Sequence, residues 1–109
     1  MSVRLSLSRG IPVKIVDQVN VTGAADKEFC VPPIPGGPPK VQFSAVGAHT
    51  VLNGNIEATQ DDGTTWRVHV AFDFIATKTI NIELPTGVGY RFNIVTITGG
   101  PVDIYGSLR

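Results

Sequence analysis

Apolar and polar residues alternate with a period of two along most of the chain. From Trp66 to Phe74 every second residue is apolar, and the residues between them are Arg67, His69, Ala71 and Asp73. Successive side chains of a β-strand point to opposite faces of a sheet, whereas a helix would place its apolar residues three or four apart. The pattern therefore predicts strands and no helix of useful length. The same alternation occurs in the runs 3–7, 13–15, 41–45, 80–84, 90–94 and 102–104.

The phase of the alternation changes after Ile94. Tyr90 and Phe92 share the phase of Ile94, but Val95 and Ile97 take the other phase. One extra residue must therefore be accommodated, which predicts either a β-bulge or a strand centre that is buried on both faces.

Turn-forming residues separate the runs at intervals of about ten residues. These turns are Arg9-Gly10, Thr22-Gly23, Asp61-Asp62-Gly63, 85–89 and 98–101. Regular turns between short strands predict an all-β fold, specifically an antiparallel β-sandwich, jelly-roll-like, with about eight strands. The length of 109 residues predicts one domain, 1–109.

Two segments depart from this pattern. Residues 32–39 contain five prolines, which cannot donate hydrogen bonds to a sheet, so the segment is predicted to be a loop that crosses between strands. A surface for a neighbouring subunit and a proline-rich ligand motif remain alternatives. Residues 1–9 are predicted to form either an edge strand of the same sandwich or an N-terminal arm that pairs with a partner's sheet.

The run from Thr59 to Trp66 is the strongest local signal. Asp62-Gly63 between two alternating strands is a strong signal of a hairpin, because glycine adopts positive φ without strain. Asp61 is expected to cap this turn through its side chain. Trp66, which is the only tryptophan, is expected to anchor the two sheets, with a partner for its indole N–H.

Composition narrows the classes of function. Hydrophobic residues make up 42% of the chain and charged residues 17%, against roughly a quarter charged in an ordinary soluble domain. This low charge suggests that part of the surface is buried in an assembly. Nine basic residues balance nine acidic ones, so we expect no general attraction to nucleic acid or to a membrane.

The single cysteine, Cys30, cannot form an intrachain disulfide. Its apolar neighbours predict a small buried hydrophobic residue rather than a nucleophile. The sequence shows no secretory signal and no apolar stretch long enough to span a bilayer, so we expect synthesis in the cytoplasm.

Metal ligation has few candidates. His49 and His69 would need a third ligand to hold a metal ion. Asp26, Asp61 and Asp62 could contribute to a calcium site, but turn chemistry alone accounts for the last two. We therefore predict no metal site.

Catalytic constellations are equally sparse. Glu57 and Glu83 lie on strand faces with no sign of a shared cleft, and no nucleophile–base motif or phosphate-binding loop is present. The sequence predicts no catalytic residue, no cofactor and no enzymatic activity.

Three segments carry a resemblance to a known group of proteins. They are the hairpin 59–66, the segment 84–91 (Leu-Pro-Thr-Gly-Val-Gly-Tyr-Arg) and the C-terminal 98–106 (Thr-Gly-Gly-Pro-Val-Asp-Ile-Tyr-Gly). In this order they resemble small β-sandwich structural proteins encoded among bacteriophage head and tail genes. The resemblance spans about residues 41–106, and Asp62-Gly63 stands where the group has two glycines.

The resemblance implies a virion structural protein. In its most specific form this is a capsid decoration (cement) subunit that stabilises a phage head by binding across neighbouring shell subunits. A tail or baseplate accessory protein is an alternative. The implied partners are the major capsid protein or other virion subunits, and the chain would act in the virion as a homo-oligomer, with a trimer as one possibility.

The contacts with a shell are predicted to come mainly from the N-terminal third. Arg4, Arg9 and Lys14 are candidates for polar contacts, and Ile34 with Pro35 for apolar docking. A carbohydrate-binding module is the rival hypothesis, and it requires an exposed aromatic side chain. Because the other candidate aromatics, Trp66 among them, share the core phase, Tyr105 is the remaining candidate platform.

Overall fold

The computed structural model describes residues 4–32, 40–61, 63–74, 79–85 and 89–108, and these contain nine strands and no helix. No helix that could cross a membrane is therefore present in the described ranges. The strands are β1 (Arg4–Ser6), β2 (Val13–Val19), β3 (Gly23–Cys30), β4 (Lys40–Gly47), β5 (Val51–Thr59), β6 (Arg67–Phe74), β7 (Thr79–Glu83), β8 (Gly89–Thr98) and β9 (Val102–Leu108).

The strands form two sheets. The five-stranded sheet has the order β1-β3-β8-β5-β6, and the four-stranded sheet has the order β2-β9-β4-β7. Without β1, the remaining eight strands form the sheets β3-β8-β5-β6 and β2-β9-β4-β7. If these eight strands are renumbered from 1 to 8 in chain order, the two sheets read 2-7-4-5 and 1-8-3-6, which is the strand arrangement of a jelly roll. All neighbours pair antiparallel except β1 and β3. The predicted jelly-roll-like sandwich is confirmed, with the short β1 as an additional strand.

The facing surfaces of the two sheets enclose a cluster of buried apolar side chains. Phe92 lies within it, and its ring centre is 5.1 Å from those of Phe43 and Phe72 and 5.7 Å from that of Phe29. The first two pairs are edge-to-face, which is a favourable arrangement of aromatic quadrupoles. The predicted inward residues of β4 and β9 are buried: Val41, Phe43, Ala45, Val102 and Ile104.

The phase change in β8 is a β-bulge. Asn53 of β5 pairs with Thr96, but the next residue, Gly54, pairs with Ile94. Val95 is therefore the extra residue, and its side chain is 55% exposed. The predicted bulge is confirmed at this position.

Residues 4–9 form an edge strand and its continuation. The Leu7 N–H donates to the Cys30 carbonyl at 3.2 Å, and the Leu108 N–H donates to the Ser8 carbonyl at 2.9 Å. The Leu7 side chain is buried in the core. Of the two predicted arrangements, the edge strand is the one that occurs in this part of the chain.

Cys30 is a free thiol at the end of β3 and is only half-buried. The preceding residue, Phe29, occupies the core-facing phase of the strand, so Cys30 must face outward. The expectation of a buried hydrophobic cysteine is therefore wrong.

The predicted hairpin joins β5 to β6, with Ala58–Arg67 as the last residue pair before the loop, and Asp61 caps the turn as predicted. Gly63 has a φ of 95°. The Thr65 N–H donates to Asp61 Oδ1 at 2.7 Å, and the Thr59 hydroxyl donates to the same oxygen at 2.9 Å. The hydrogen bond from the Thr65 N–H is the main cause that lowers the pKa of Asp61. Asp62 lies outside the described residues.

Trp66 does not lie between the two sheets. It is half-buried on the outer face of the five-stranded sheet, where its indole N–H donates to the Gly63 carbonyl at 3.1 Å. The Arg91 guanidinium lies over the indole ring, 4.3 Å from its centre, and Arg91 Nε donates to the Glu57 carboxylate at 2.7 Å. The prediction that Trp66 anchors the core is therefore wrong.

A second bulge explains this difference. Ile56 pairs with Val70, but the next residue of β5, Glu57, pairs with Val68, so His69 is an extra residue in β6. Because of this bulge, the side chains that precede it in β6 point to the opposite face of the sheet from the face that regular alternation predicts. Val68 is consequently 61% exposed, and the tryptophan two residues earlier faces outward as well.

Candidate functional site

The outer face of the four-stranded sheet carries rows of polar residues. In one row Tyr105 of β9 lies between Lys14 of β2 and Ser44 of β4, and Ser44 in turn pairs with Thr79 of β7. The Ser44 and Thr79 hydroxyl oxygens are 3.2 Å apart, at hydrogen-bond distance. The adjacent row consists of Ser107, Gln42 and Asn81.

A cleft of about 420 Å³ opens on this face beside Tyr105. We call it the Tyr105 cleft. It is lined by Arg9, Gly10, Pro12, Gln42, Ser44, Tyr105, Gly106, Ser107 and Leu108. Its volume falls within the range of about 300–1,000 Å³ that is usual for small-ligand sites.

Arg9, Gly10 and Pro12 form one wall of the cleft. Arg9 forms a parallel bridge with Leu108, which brings the N-terminal segment beside the last strand. Gly10 has a φ of 79° and so reverses the chain direction toward Pro12 without a Cβ clash. Arg9 is exposed at the edge of the cleft.

Lys14 lies on the β2 side of the Tyr105 ring. Its ammonium is 5.8 Å from the ring centre, 3.6 Å from Asp17 and 3.9 Å from Asp103. These neighbours, Asp103 foremost, raise the pKa of Lys14. Ion pairs this exposed contribute little to stability, so their main effect is to hold the ammonium beside the tyrosine.

The cleft has the chemistry of a binding surface. An aromatic ring, a guanidinium and neutral hydroxyl and amide groups line it, with no carboxylate or imidazole among the lining residues. Such groups bind a ligand by apolar contact and hydrogen bonds. In the described part of the chain, no three His, Cys, Asp or Glu residues are placed together to hold a metal ion.

The histidines occupy different environments. His49 is buried in the turn between β4 and β5, and burial lowers its pKa. His69 is the exposed residue at the β6 bulge, as the sequence predicted, and its ring centre is 5.7 Å from that of Tyr90.

The carboxylates considered above are also separated. Glu57 lies on the five-stranded sheet and accepts from Arg91 and Asn93, whereas Glu83 lies in β7 of the other sheet. The Asp61 carboxylate accepts hydrogen bonds from Thr59 and Thr65 within the hairpin turn. Asp62 and the Asp26 side chain lie outside the described residues.

Three of the six predicted contact residues come together at this face: Arg9, Lys14 and Tyr105. Arg4 belongs to β1 of the other sheet, and nothing is described of its side chain. Ile34 and Pro35 lie outside the described residues.

The sequence-based prediction missed the neutral polar residues of the cleft. Gln42 and Ser44 occupy the outward phase of β4, and Ser107 the outward phase of β9. These polar residues alternate with core residues in the sequence, and this pattern was the signal that could have located them. The pattern shows that they lie on the outer face of a sheet, but it does not show which of the two sheets carries a cleft.

Comparisons of the chain with protein-family models, with curated proteins and with solved structures found no match. The resemblance to phage structural proteins therefore rests on the segments 59–66, 84–91 and 98–106 alone.

Proposed function

We propose that the chain is a non-enzymatic virion structural protein, and specifically a capsid decoration subunit that binds across neighbouring shell subunits. The observation that carries the proposal is the gathering of Arg9, Lys14 and Tyr105 on the outer face of one sheet. Arg9 and Lys14 are predicted polar contacts with a shell, and Tyr105 is the exposed aromatic side chain beside them. Their placement on one rigid face makes them available to one partner.

The mechanism of this protein is adhesion. Tyrosine and arginine are among the residue types that contribute most to protein interfaces, because each combines a large contact area with directed hydrogen bonds. Tyr105 would supply apolar contact with a shell loop, and Arg9 would bond to a carboxylate or carbonyl at the edge of the cleft. In a homo-oligomer, the linked copies would bind one shell together, so weak individual contacts would give strong overall attachment.

Co-sedimentation of the purified protein with shells of the phage that encodes it tests this function. The wild-type chain is expected to bind at a fixed number of copies per shell. Arg9→Ala combined with Tyr105→Ala should weaken binding by at least about tenfold, since truncation of a central contact typically costs about 2 kcal/mol. Arg67→Ala removes an equal charge from the exposed edge of the other sheet and serves as the matched control. Absence of wild-type binding would refute the proposal.

A carbohydrate-binding module is the second candidate, and the outward position of Trp66 favours it. The alternation pattern predicted that only Tyr105 lies outside the core, but Trp66 also lies outside it. Tyr105 is the better platform for a sugar ring, because Arg91 already covers one face of Trp66. Gln42 and Ser44 provide neutral hydrogen-bonding groups beside it. A glycan array with binding that Tyr105→Ala abolishes would establish this function in place of shell binding.

A further inference from the structure

Strand β7 is an edge strand with an open side. It pairs with β4 through five consecutive residue pairs, from Lys40–Glu83 to Ser44–Thr79, with no register shift. Among the described strands, none pairs with its other side. The backbone N–H and C=O groups that point to that side form a regular template for a further strand.

Most of the usual protections of an edge strand are absent from β7. Its sequence, Thr-Ile-Asn-Ile-Glu, contains no proline, no lysine and no inward-facing charge, and its one charged residue, Glu83, lies at the end of the strand on the outer face. The other edges differ. β1 has three residues, β2 has two register shifts and a positive φ at Gln18, and β6 is bulged at His69 and carries Arg67 and Asp73.

The two faces of β7 are distinct. Ile80 and Ile82 point inward and pack against the core, but they are only half-buried. Thr79, Asn81 and Glu83 are exposed on the outer face. A strand added to the open side would cover the remaining apolar surface of the two isoleucines.

We propose that β7 pairs with β7 of a second copy of this chain, antiparallel about Asn81. In this register Ile80 faces Ile82 of the other copy, Thr79 faces Glu83, and Asn81 faces itself. Inward residues meet inward residues, no like charges are opposed, and the two amides can hydrogen-bond to each other. The strand is thus complementary to itself in length, phase and charge, which is the basis for choosing a second copy as the occupant.

The pairing joins the two four-stranded sheets into one sheet of eight strands. Its twofold axis is perpendicular to the sheet, so both Tyr105 clefts lie on the same side. The pairing itself is independent of the proposed function. One consequence rests on that function, namely that a dimer would present two contact sites to a shell at once.

Native mass spectrometry, with light scattering over a range of concentrations, tests this interface without any particle. The wild-type chain is expected to be a dimer. Asn81→Lys and Asn81→Asp each oppose like charges at the twofold axis, so each should raise the dimer dissociation constant by about two- to fivefold. An equal mixture of the two variants should form the mixed dimer in preference to either homodimer.

Asn20→Lys, the same substitution in an exposed loop, is the control and should leave the dimer unchanged. A monomeric or trimeric wild-type chain would overturn the proposal. So would Asn81 variants that dimerise like the wild type, or a mixture without preference for the mixed dimer. Circular dichroism of each variant separates a lost interface from a lost fold. Shell binding is measured separately, so either proposal can fail alone.

Discussion

Substitution of Gly54 by alanine is expected to destabilise the fold strongly. Gly54 lies in β5 opposite the Val95 bulge of β8. A Cβ at this position would overlap the Asn93 carbonyl oxygen, and it would lie 2.9 Å from Val95 N and 3.1 Å from the Asn93 carbonyl carbon. All three are backbone atoms, so no side-chain rotation can relieve the overlap.

The cost can be estimated from this geometry. To relieve the overlap with the Asn93 carbonyl oxygen, β8 must retreat by about one ångström. Overpacking of this kind costs about 1–3 kcal/mol, and each sheet hydrogen bond that is lost adds about 1 kcal/mol. With one or two bonds lost, the free energy of unfolding should fall by about 2–5 kcal/mol, a large part of the total of about 5–15 kcal/mol for such a domain.

Urea unfolding, followed by circular dichroism and by Trp66 fluorescence, measures this loss. Gly106→Ala is the matched control, because a Cβ there would meet only side-chain atoms: Ile15 Cδ1 at 2.6 Å and two Phe43 ring carbons at 3.1 and 3.2 Å. Those side chains can shift, so the control should lose less. A Gly54→Ala variant that is as stable as the wild type, or more stable than the control, would refute the bulged pairing of β5 with β8.

Three further perturbations test individual groups. Tyr90→Phe removes a hydrogen bond of 2.9 Å to the Pro85 carbonyl and should cost about 1 kcal/mol at neutral pH. Burial raises the pKa of Tyr90 to about 12, so wild-type stability should decline as pH rises above about 10, where the unfolded phenol ionises first, and the variant should lack that decline. Burial lowers the pKa of His49, so the free energy of unfolding should fall as pH drops below about 6.5, and a His49→Gln variant that keeps the full slope would contradict this. Arg91→Met removes the guanidinium from the Trp66 ring and should shift the fluorescence emission at a cost of about 1–2 kcal/mol, whereas unchanged emission would be inconsistent with the stacked arrangement.

Alternation predicted the core where each strand keeps one phase. In β4, Val41, Phe43 and Ala45 are buried as expected. The bulge in β8 was also predictable, because Ile94 and Val95 are both apolar and the phase change is visible in the sequence. These features depend on the two-residue period of a strand and on little else.

The bulge in β6 could not be predicted in the same way. Val68 and Val70 flank His69, so a regular alternation continues through the bulge and places Trp66 in the wrong phase. The bulge arises because Glu57 of the neighbouring strand β5 pairs with Val68 and not with His69, and the sequence of β6 does not reveal this pairing. A one-residue shift in pairing was enough to move the only tryptophan from the expected core to the outer face.

The candidate site depends on contacts between distant parts of the chain. Arg9 and Tyr105 were each predicted as contact residues, but their meeting depends on the bridge between Arg9 and Leu108 at the edge of the last strand. Local periodicity carries no information about that bridge. The cleft and its neutral polar residues therefore emerge only from the folded structure.

Electron cryo-microscopy of shells decorated with the protein tests the central proposal most directly. We expect jelly-roll density at a fixed site between neighbouring shell subunits, with the outer face of the four-stranded sheet and the Tyr105 cleft against the shell. Shells without such density, or density that turns the five-stranded sheet toward the shell, would contradict it.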